Sequence, residues 1–154
     1  MIEFKIEKTC SFTGHRILEK SFNVNKLEEV INSVLITGYN TFLIGMAKGF
    51  DSKCFEILLR KKQEKDIKII ACVPCKEQDK YFTKIEKEKY KKYLEKADEI
   101  VYISEEYING CMQQRNRYMV DNSSLLIAYL KYPKGGTFYT VNYAIKKQKE
   151  IIYI

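Results

Sequence analysis

The chain has 154 residues, of which 45% are hydrophobic and 31% are charged. This length predicts a single domain over residues 1–154, and the composition excludes an intrinsically disordered chain. The 27 lysines and arginines exceed the 20 aspartates and glutamates, and the formal net charge of +7 favours anionic ligands such as phosphates over acidic partners. Because the sequence has no run of 18 apolar residues and no apolar leader segment, we expect a cytoplasmic protein without a membrane partner.

Cys72 and Cys75 form a CxxC pair, a spacing that occurs in zinc sites and in redox motifs. A zinc site needs two further ligands, and one histidine, His15, with no second CxxC pair provides no obvious set. A redox pair is expected where a strand leads into a helix, whereas here the polar run 76–80 follows. We therefore predict five reduced thiols, a structural role for this pair, and neither a metal nor a cofactor.

The first half of the chain alternates between predicted strands and helices. A short strand, Thr9–Thr13, is closed by Gly14. It is followed by a helix with Asn25 as its N-cap, a buried strand, a helix with Asp51 or Ser52 as its N-cap, and a strand ended by Pro74. These four elements span residues 25–37, 41–45, 51–64 and 67–73.

The second half continues the alternation. A lysine-rich helix with an apolar stripe that begins at Ile85 is followed by a strand, a helix, a strand, a helix opened by Gly135 and Gly136, and a last strand. These elements span residues 83–97, 98–104, 110–121, 124–130, 137–147 and 150–154. Six nearly continuous apolar strands separated by five helices predict an α/β fold: a doubly wound, mostly parallel Rossmann-like sheet with helices on both faces, in a three-layer sandwich. In such sheets ligands bind at the carboxyl ends of the strands.

Glycine-containing loops follow three of the six predicted strands, and they hold five of the seven glycines. None is a Walker A motif or a complete GxGxxG motif, but backbone N–H groups that no side chain covers can bind anions at the start of a helix. The sequence therefore predicts a site for a phosphate-bearing ligand. Its candidate ligand-binding residues are Gly14, His15, Arg16, Gly45, Met46, Ala47, Gly49, Asp51, Lys134, Gly135, Gly136 and Thr137.

Several further residues are candidates with alternatives left open. Arg115, Asn116 and Asp121 lie on a helix whose polar residues are mostly amides and arginines, which is unusual for a solvated face. His15 either contacts the ligand or packs in its loop. Glu105, after the fourth strand, is a weak catalytic candidate together with Asp51, although a helix-dipole role for Glu105 is equally open. The lysine-rich helix lacks arginines interleaved with aromatic residues at a binding edge, which argues against nucleic acid as a partner.

Four blocks resemble the YpsA-like branch of the SLOG superfamily, which is named after the Smf/DprA and Lonely Guy proteins. These blocks are CSFTGHR (10–16), GMAKGFD (45–51), YINGCMQQRNRYMVD (107–121), and GGT (135–137) with NYA (142–144). The resemblance implies a Rossmann-like domain that binds nucleotides or nucleotide-derived ligands such as ADP-ribose species. Some members of the superfamily sense signalling nucleotides, and others are enzymes.

The Lonely Guy enzymes, which cleave the base from nucleoside 5′-monophosphates, carry the motif PGGxGTxxE with a catalytic glutamate. The corresponding segment, Pro133–Thr137, is shorter, and Thr140 stands where the glutamate is expected. The phosphate-binding half of the motif is therefore present and the catalytic half is not. The sequence leaves open whether a ligand is hydrolysed and favours binding alone.

Three functions follow from these patterns. The first is a sensor or sponge for a signalling nucleotide, with phosphates on the helix that starts at Thr137, Arg16 and Arg115 neutralising charge, and Asn116 or Asp121 contacting the base or ribose. The second is a nucleotide N-glycosidase, if Asp51, Glu105 or Glu106 faces the pocket beside an arginine. The third is a protein-interaction adaptor. Helix faces rich in tyrosine are also compatible with a homodimer (Tyr118, Tyr139 and Tyr143).

Overall fold

The computed structural model describes residues 3–154. Six strands alternate with five helices after a short 3₁₀ turn at Ile6–Lys8. The strands are β1 (Thr9–Gly14), β2 (Thr41–Ile44), β3 (Lys68–Cys75), β4 (Glu99–Ser104), β5 (Leu125–Tyr129) and β6 (Glu150–Tyr153). The helices are α1 (Val24–Ile36), α2 (Phe50–Lys62), α3 (Lys84–Lys96), α4 (Cys111–Asp121) and α5 (Gly135–Lys146).

The strands form one parallel sheet in the order β4-β3-β2-β1-β5-β6. β1 is central, with Cys10 opposite Phe42 of β2 on one side and opposite Leu125 of β5 on the other. The chain moves outward from β1 to β4 and then returns to place β5 on the other side of β1. The strand order therefore reverses between β1 and β5, and the predicted doubly wound Rossmann-like fold is confirmed.

The side-chain alternation of the strands gives each face of the sheet its own core. Residues such as Phe12, Phe42 and Ile127 face α1, α2 and α3, where Leu27 and Phe55 pack against them. The opposite face packs against α4 and α5 through two smaller clusters, with Val120, Val141 and Met119 among their helical residues. The sheet is thus covered on both sides, as near-continuous apolar strands require.

Two predicted helix caps are wrong. Asn23, not Asn25, caps α1, because its side-chain oxygen accepts hydrogen bonds from the N–H groups of Asn25 and Lys26. Neither Asp51 nor Ser52 caps α2, which begins at Phe50 after Gly49. In both cases the helix begins before the polar residue that was predicted as its N-cap.

Two further details of the sequence prediction need correction. Pro74 does not end β3, which continues to Cys75 opposite Ser104 of β4. The proline is tolerated because the pairing of β3 with β2 ends earlier, at Ala71 opposite Ile44, so that its missing N–H breaks no bond to β2. Ile85 is 78% exposed rather than part of the buried stripe of α3, since it lies in the first turn of the helix.

All five cysteines are buried, and none of them forms a disulfide. Burial raises the pKa of the Cys72 thiol to about 12, so the thiolate that metal or redox chemistry requires is disfavoured. Within residues 3–154, no group of three or more His, Cys, Asp or Glu side chains is arranged to hold a metal ion. In the same range, no helix is long and apolar enough to cross a membrane.

Candidate functional site

A cleft of about 520 Å³ opens at the carboxyl ends of β1, β2 and β5, which are neighbours in the sheet. It lies at the reversal of strand order between β1 and β5, where open α/β sheets bind their ligands. The loops after these three strands and the first turns of α4 and α5 form its walls. Its volume is in the range that encloses a small organic ligand.

His15 joins the three loops together. Its backbone carbonyl accepts a hydrogen bond from the Phe50 N–H, at 3.2 Å, which ties the β1–α1 loop to the start of α2. Its ring Nε2 accepts from the Lys131 N–H, at 2.9 Å, which ties the same loop to the one after β5. Because Nε2 is an acceptor, the proton of the neutral ring is on Nδ1. Burial lowers the pKa of His15, which favours this neutral form.

The β2–α2 loop is shaped by the close approach of Arg115. The guanidinium Nη1 of this buried arginine donates hydrogen bonds to the carbonyls of Gly45 and Cys72, and its Nε donates to the Asn116 side chain. A Cβ at position 45 would lie 2.9 Å from Nη1, so only glycine leaves room for this contact. Arg115 therefore binds α4 to the ends of β2 and β3.

Asp51 is buried at the floor of the cleft, one residue into α2. Its Oδ2 accepts a hydrogen bond from the Ala47 N–H at 3.1 Å. Burial raises the pKa of Asp51 to about 6, although Arg115, the Ala47 N–H and Arg16 all act in the opposite direction. The cleft thus contains a carboxyl group that changes protonation state near neutral pH.

The start of α5 forms the opposite wall. Gly135, Gly136 and Thr137 line the cleft, and no side chain of residues 3–154 caps the first turn of the helix. A Cβ added at Gly135 would meet nothing within 4 Å, and one at Gly136 would meet only the Asn116 side-chain nitrogen, at 3.9 Å. The backbone at this helix start is therefore open to a ligand, and its N–H groups carry the positive end of the helix dipole.

Two cations at the cleft have no carboxylate partner. Among the described residues, neither Arg16 nor Lys134 forms an ion pair with a carboxylate, and the Arg16 guanidinium donates a hydrogen bond to the Met112 sulfur, at 3.7 Å. Both side chains line the cleft together with the start of α5. The charge here favours an anionic ligand.

The structure brings most of the predicted site residues together. Twelve line the cleft: Gly14, His15, Arg16, Gly45, Ala47, Asp51, Arg115, Asn116, Lys134, Gly135, Gly136 and Thr137. Met46 and Gly49 instead border a smaller hollow of about 170 Å³ between α2 and α3.

Two predicted site residues, Asp121 and Glu105, lie away from the cleft. Asp121 lies at the exposed end of α4, where its carboxylate accepts a hydrogen bond from the Tyr143 hydroxyl. Glu105 follows the edge strand β4, is 78% exposed and pairs with Lys76 at 2.7 Å. Thr140, the residue at the place of the missing glutamate, donates its hydroxyl proton to the Gly136 carbonyl at 2.7 Å.

Sequence reasoning missed several residues that line the cleft. Tyr132 stacks on the His15 ring, and Met112 and Gln113 enter from the first turn of α4. Position could have suggested Tyr132, because it directly precedes the segment Pro133–Thr137, but a tyrosine is not part of that motif. Met112 and Gln113 can be assigned to the cleft only once the position of α4 relative to the sheet is known.

Comparison with known proteins gives one family and two related sequences. The family model YpsA, described as the YspA SLOG family, matches residues 17–154. The SPbeta prophage-derived protein YoqJ of Bacillus subtilis is 37% identical over 137 residues, covering 79% of this chain and 80% of that protein. The UPF0398 protein BH1768 of Halalkalibacterium halodurans is 28% identical over 144 residues, covering 91% of this chain and 74% of that protein.

Two solved structures have the same fold. DNA processing protein A (DprA) of Streptococcus pneumoniae superposes with a TM-score of 0.72 at 18% identity, over 96% of this chain. The Helicobacter pylori protein of the same name gives a TM-score of 0.69 at 20% identity, over 94% of this chain. The chain spans only 50% and 64% of the lengths of these two structures.

The structure of the H. pylori protein is described as revealing its single-stranded DNA binding mode. The expectation that nucleic acid is not a partner, which was based on the composition of the lysine-rich helix, is therefore wrong. A protein with this fold binds single-stranded DNA, so the composition of one helix does not decide the question.

Proposed function

The chain belongs to the YpsA branch of the SLOG family, as its motifs predict, and we propose that its cleft binds a nucleotide or a nucleotide-derived ligand. A phosphate of the ligand occupies the start of α5, where it contacts the N–H groups of Gly136 and Thr137. Arg16 and Lys134 neutralise its charge, and the Asn116 side chain contacts the ribose or the base. The ligand class extends to signalling nucleotides such as ADP-ribose species and cyclic nucleotides.

One observation carries this proposal: an uncapped helix start and two cations without carboxylate partners line the same cleft. A helix start alone is a general feature of proteins, and an exposed cation alone is usually solvated. Together, at the reversal of strand order, they provide both the hydrogen-bond donors and the charge that a phosphate requires.

The proposed role is to bind the ligand as a sensor or a sponge. Thr140 replaces the carboxylate of the related enzymes, and its hydroxyl is engaged with the Gly136 carbonyl. The absence of a carboxylate at that place favours binding without hydrolysis.

Thermal unfolding against a panel of AMP, NAD, ADP-ribose, cyclic AMP and a short single-stranded oligonucleotide tests the proposal. A ligand at 100 times its Kd adds about 2.7 kcal/mol, which raises Tm by about 5–11 °C for a domain of this size. Such a shift with a nucleotide and no product supports the sensor or sponge. A shift with the oligonucleotide alone supports a nucleic-acid-binding role, and no shift with any probe supports the adaptor.

A second candidate, hydrolysis of the N-glycosidic bond, is favoured by the position of Asp51. This carboxyl group lines the cleft close to Arg115 and Arg16, and a pKa of about 6 suits a general acid. In this reaction water adds to C1′ of a nucleoside 5′-monophosphate and the C1′–N bond breaks. Neutral Asp51 gives its proton to the departing base, and the carboxylate then takes a proton from the added water.

Chromatography of AMP incubated with the protein distinguishes the two candidates. Hydrolysis would release adenine and ribose 5-phosphate in equal amounts, and Asp51→Asn would abolish the release while AMP still bound. Unchanged AMP in the presence of a binding shift would reject hydrolysis of this substrate and leave the binding function as proposed.

A further inference from the structure

Tyr132 presents an exposed aromatic ring at the cleft, three residues before the start of α5. We propose that this ring is a stacking platform for the nucleobase of a free nucleotide whose phosphate occupies the start of α5. This inference rests on the proposed function and specifies it: the ligand is recognised by its base as well as by its phosphate.

The ring of Tyr132 is held in place from one side. It stacks on the ring of His15 with the planes 10° apart and the centroids 4.0 Å apart. His15 is itself fixed, because it is buried, accepts the Lys131 N–H and meets the edge of Tyr129 at 5.7 Å between centroids. Tyr132 is therefore ordered before any ligand arrives, which reduces the entropy that binding would otherwise cost.

Part of the Tyr132 side chain is accessible at the cleft. Tyr132 is 41% exposed, and His15 is the one aromatic ring that it contacts within residues 3–154. Exposed tyrosines elsewhere on the surface, such as Tyr81, do not line the cleft. An ordered, partly exposed aromatic ring at the wall of a cleft is a surface on which bases stack in nucleic-acid and nucleotide sites.

The spacing fits one nucleotide. Tyr132 and Gly135 are three residues apart, so their Cα atoms are separated by at most about 11 Å. A single nucleotide can bridge such a span, with its base at one end and its 5′-phosphate at the other. The ribose then faces the Asn116 side of the cleft, opposite Gly136.

Calorimetric titration with AMP and with ribose 5-phosphate, which lacks the base, tests the inference. We expect the wild-type protein to bind AMP more tightly than ribose 5-phosphate. Tyr132→Leu should weaken AMP binding by about 5- to 150-fold, the range measured for loss of one stacking aromatic, and should leave ribose 5-phosphate binding unchanged. Tyr132→Phe, which keeps the ring, should retain the preference for AMP. Tyr81→Leu is the matched control outside the cleft.

Unchanged binding of ribose 5-phosphate by Tyr132→Leu also shows that the variant is folded. Equal wild-type affinities for AMP and ribose 5-phosphate, or a preference for AMP that survives in Tyr132→Leu, would overturn the platform while leaving phosphate binding intact. Failure of both probes would overturn this inference, and failure of NAD, ADP-ribose and cyclic AMP as well would overturn the proposed function.

A base and phosphate of the same geometry also occur at the end of a DNA strand, so a single-stranded oligothymidylate is titrated in parallel. Binding of AMP that competes with the oligonucleotide, or binding of AMP alone, supports the free nucleotide. Binding of the oligonucleotide without any binding of AMP would overturn the assignment to a free nucleotide.

Discussion

At the scale of single residues, the cleft depends on side chains that are absent as much as on those present. Gly45 admits the Arg115 guanidinium, and Gly135 and Gly136 leave the start of α5 uncovered. Gly49 serves the fold in another way, because its positive φ of 75° turns the chain into α2 beside the Arg16 carbonyl. These glycines lie at one edge of the sheet because they follow β2 and β5, the two strands that flank β1.

Gly49→Ala should destabilise the protein much more than Gly38→Ala. Both glycines have positive φ, 75° and 104°, so alanine is strained at either position. At position 49 the new Cβ would also lie 2.1 Å from the Arg16 carbonyl oxygen, whereas at position 38 it would meet nothing within 4 Å. We expect urea unfolding to show an additional loss of about 2 kcal/mol for Gly49→Ala. Equal losses of unfolding free energy for the two variants would contradict the close packing of the loop after β1 against the loop after β2.

The raised pKa of Asp51 predicts a pH-dependent penalty on folding. Below about pH 4 the group is protonated in the folded and the unfolded chain, so the penalty is absent. Between about pH 4 and pH 6, Asp51 is ionised in the unfolded chain but still protonated in the folded chain. The free energy of unfolding therefore falls as the pH rises, and above about pH 6 it is lower by about 3 kcal/mol. Asp51→Asn should therefore gain stability relative to wild type by about this amount between pH 4 and pH 7.

Urea unfolding at several pH values measures this difference, with Asp66→Asn as the control. The Asp66 side chain is 98% exposed, so its replacement removes a carboxylate without removing a buried one. A difference between wild type and Asp51→Asn that stays constant with pH would show that Asp51 does not titrate in the folded protein above its ordinary range.

At the scale of elements, α4 is attached to the sheet through a polar contact in an apolar layer. Arg115 donates hydrogen bonds to the carbonyl of Gly45, directly after β2, and to the carbonyl of Cys72 within β3, with Asp51 nearby as a countercharge. This one side chain positions α4, and with it Asn116 and Met112, at the cleft.

Arg115→Ala should cost at least about 3 kcal/mol of unfolding free energy, because it leaves two buried carbonyls and the Asp51 carboxyl group without their cationic partner. Arg117→Ala is the matched control on the same helix. Its guanidinium donates a hydrogen bond to the Tyr139 hydroxyl at an exposed position, and we expect a loss below about 1 kcal/mol. Chemical unfolding at neutral pH compares the two, and similar losses would contradict the role given to Arg115.

At the scale of the whole molecule, the sequence predicts which residues follow the carboxyl ends of the strands. It does not predict the order of the strands in the sheet, and so it does not predict which of these residues lie close together. The glycines at 14, 45 and 135 could be placed at one edge because parallel strands share a direction. The sequence does not show that β4 is an edge strand, so Glu105 and Asp51 were equally good candidates for the site. Tyr132 was missed for a related reason, since its partner His15 is brought close only by the pairing of β1 with β5.

The homodimer remains a prediction, and the structure changes its basis. The tyrosines that suggested a surplus apolar face have partners within the chain: Tyr118 packs against the cluster around Met119, Tyr139 accepts from Arg117, and Tyr143 donates to Asp121. The Tyr118 contact packs α4 on the sheet, and the other two join α4 to α5. Sedimentation velocity would measure the oligomeric state directly.

The most direct test of the nucleotide site is calorimetric titration of AMP and ADP-ribose into the wild type, Gly136→Asp and Gly136→Asn. An aspartate in the first turn of α5 favours the helix dipole by about 0.3–1 kcal/mol, so Gly136→Asp should fold at least as well as Gly136→Asn. Its negative charge faces the proposed phosphate, and we expect it to weaken binding by at least about tenfold relative to the neutral, nearly isosteric asparagine. Equal affinities for the two variants would contradict a phosphate at the start of α5.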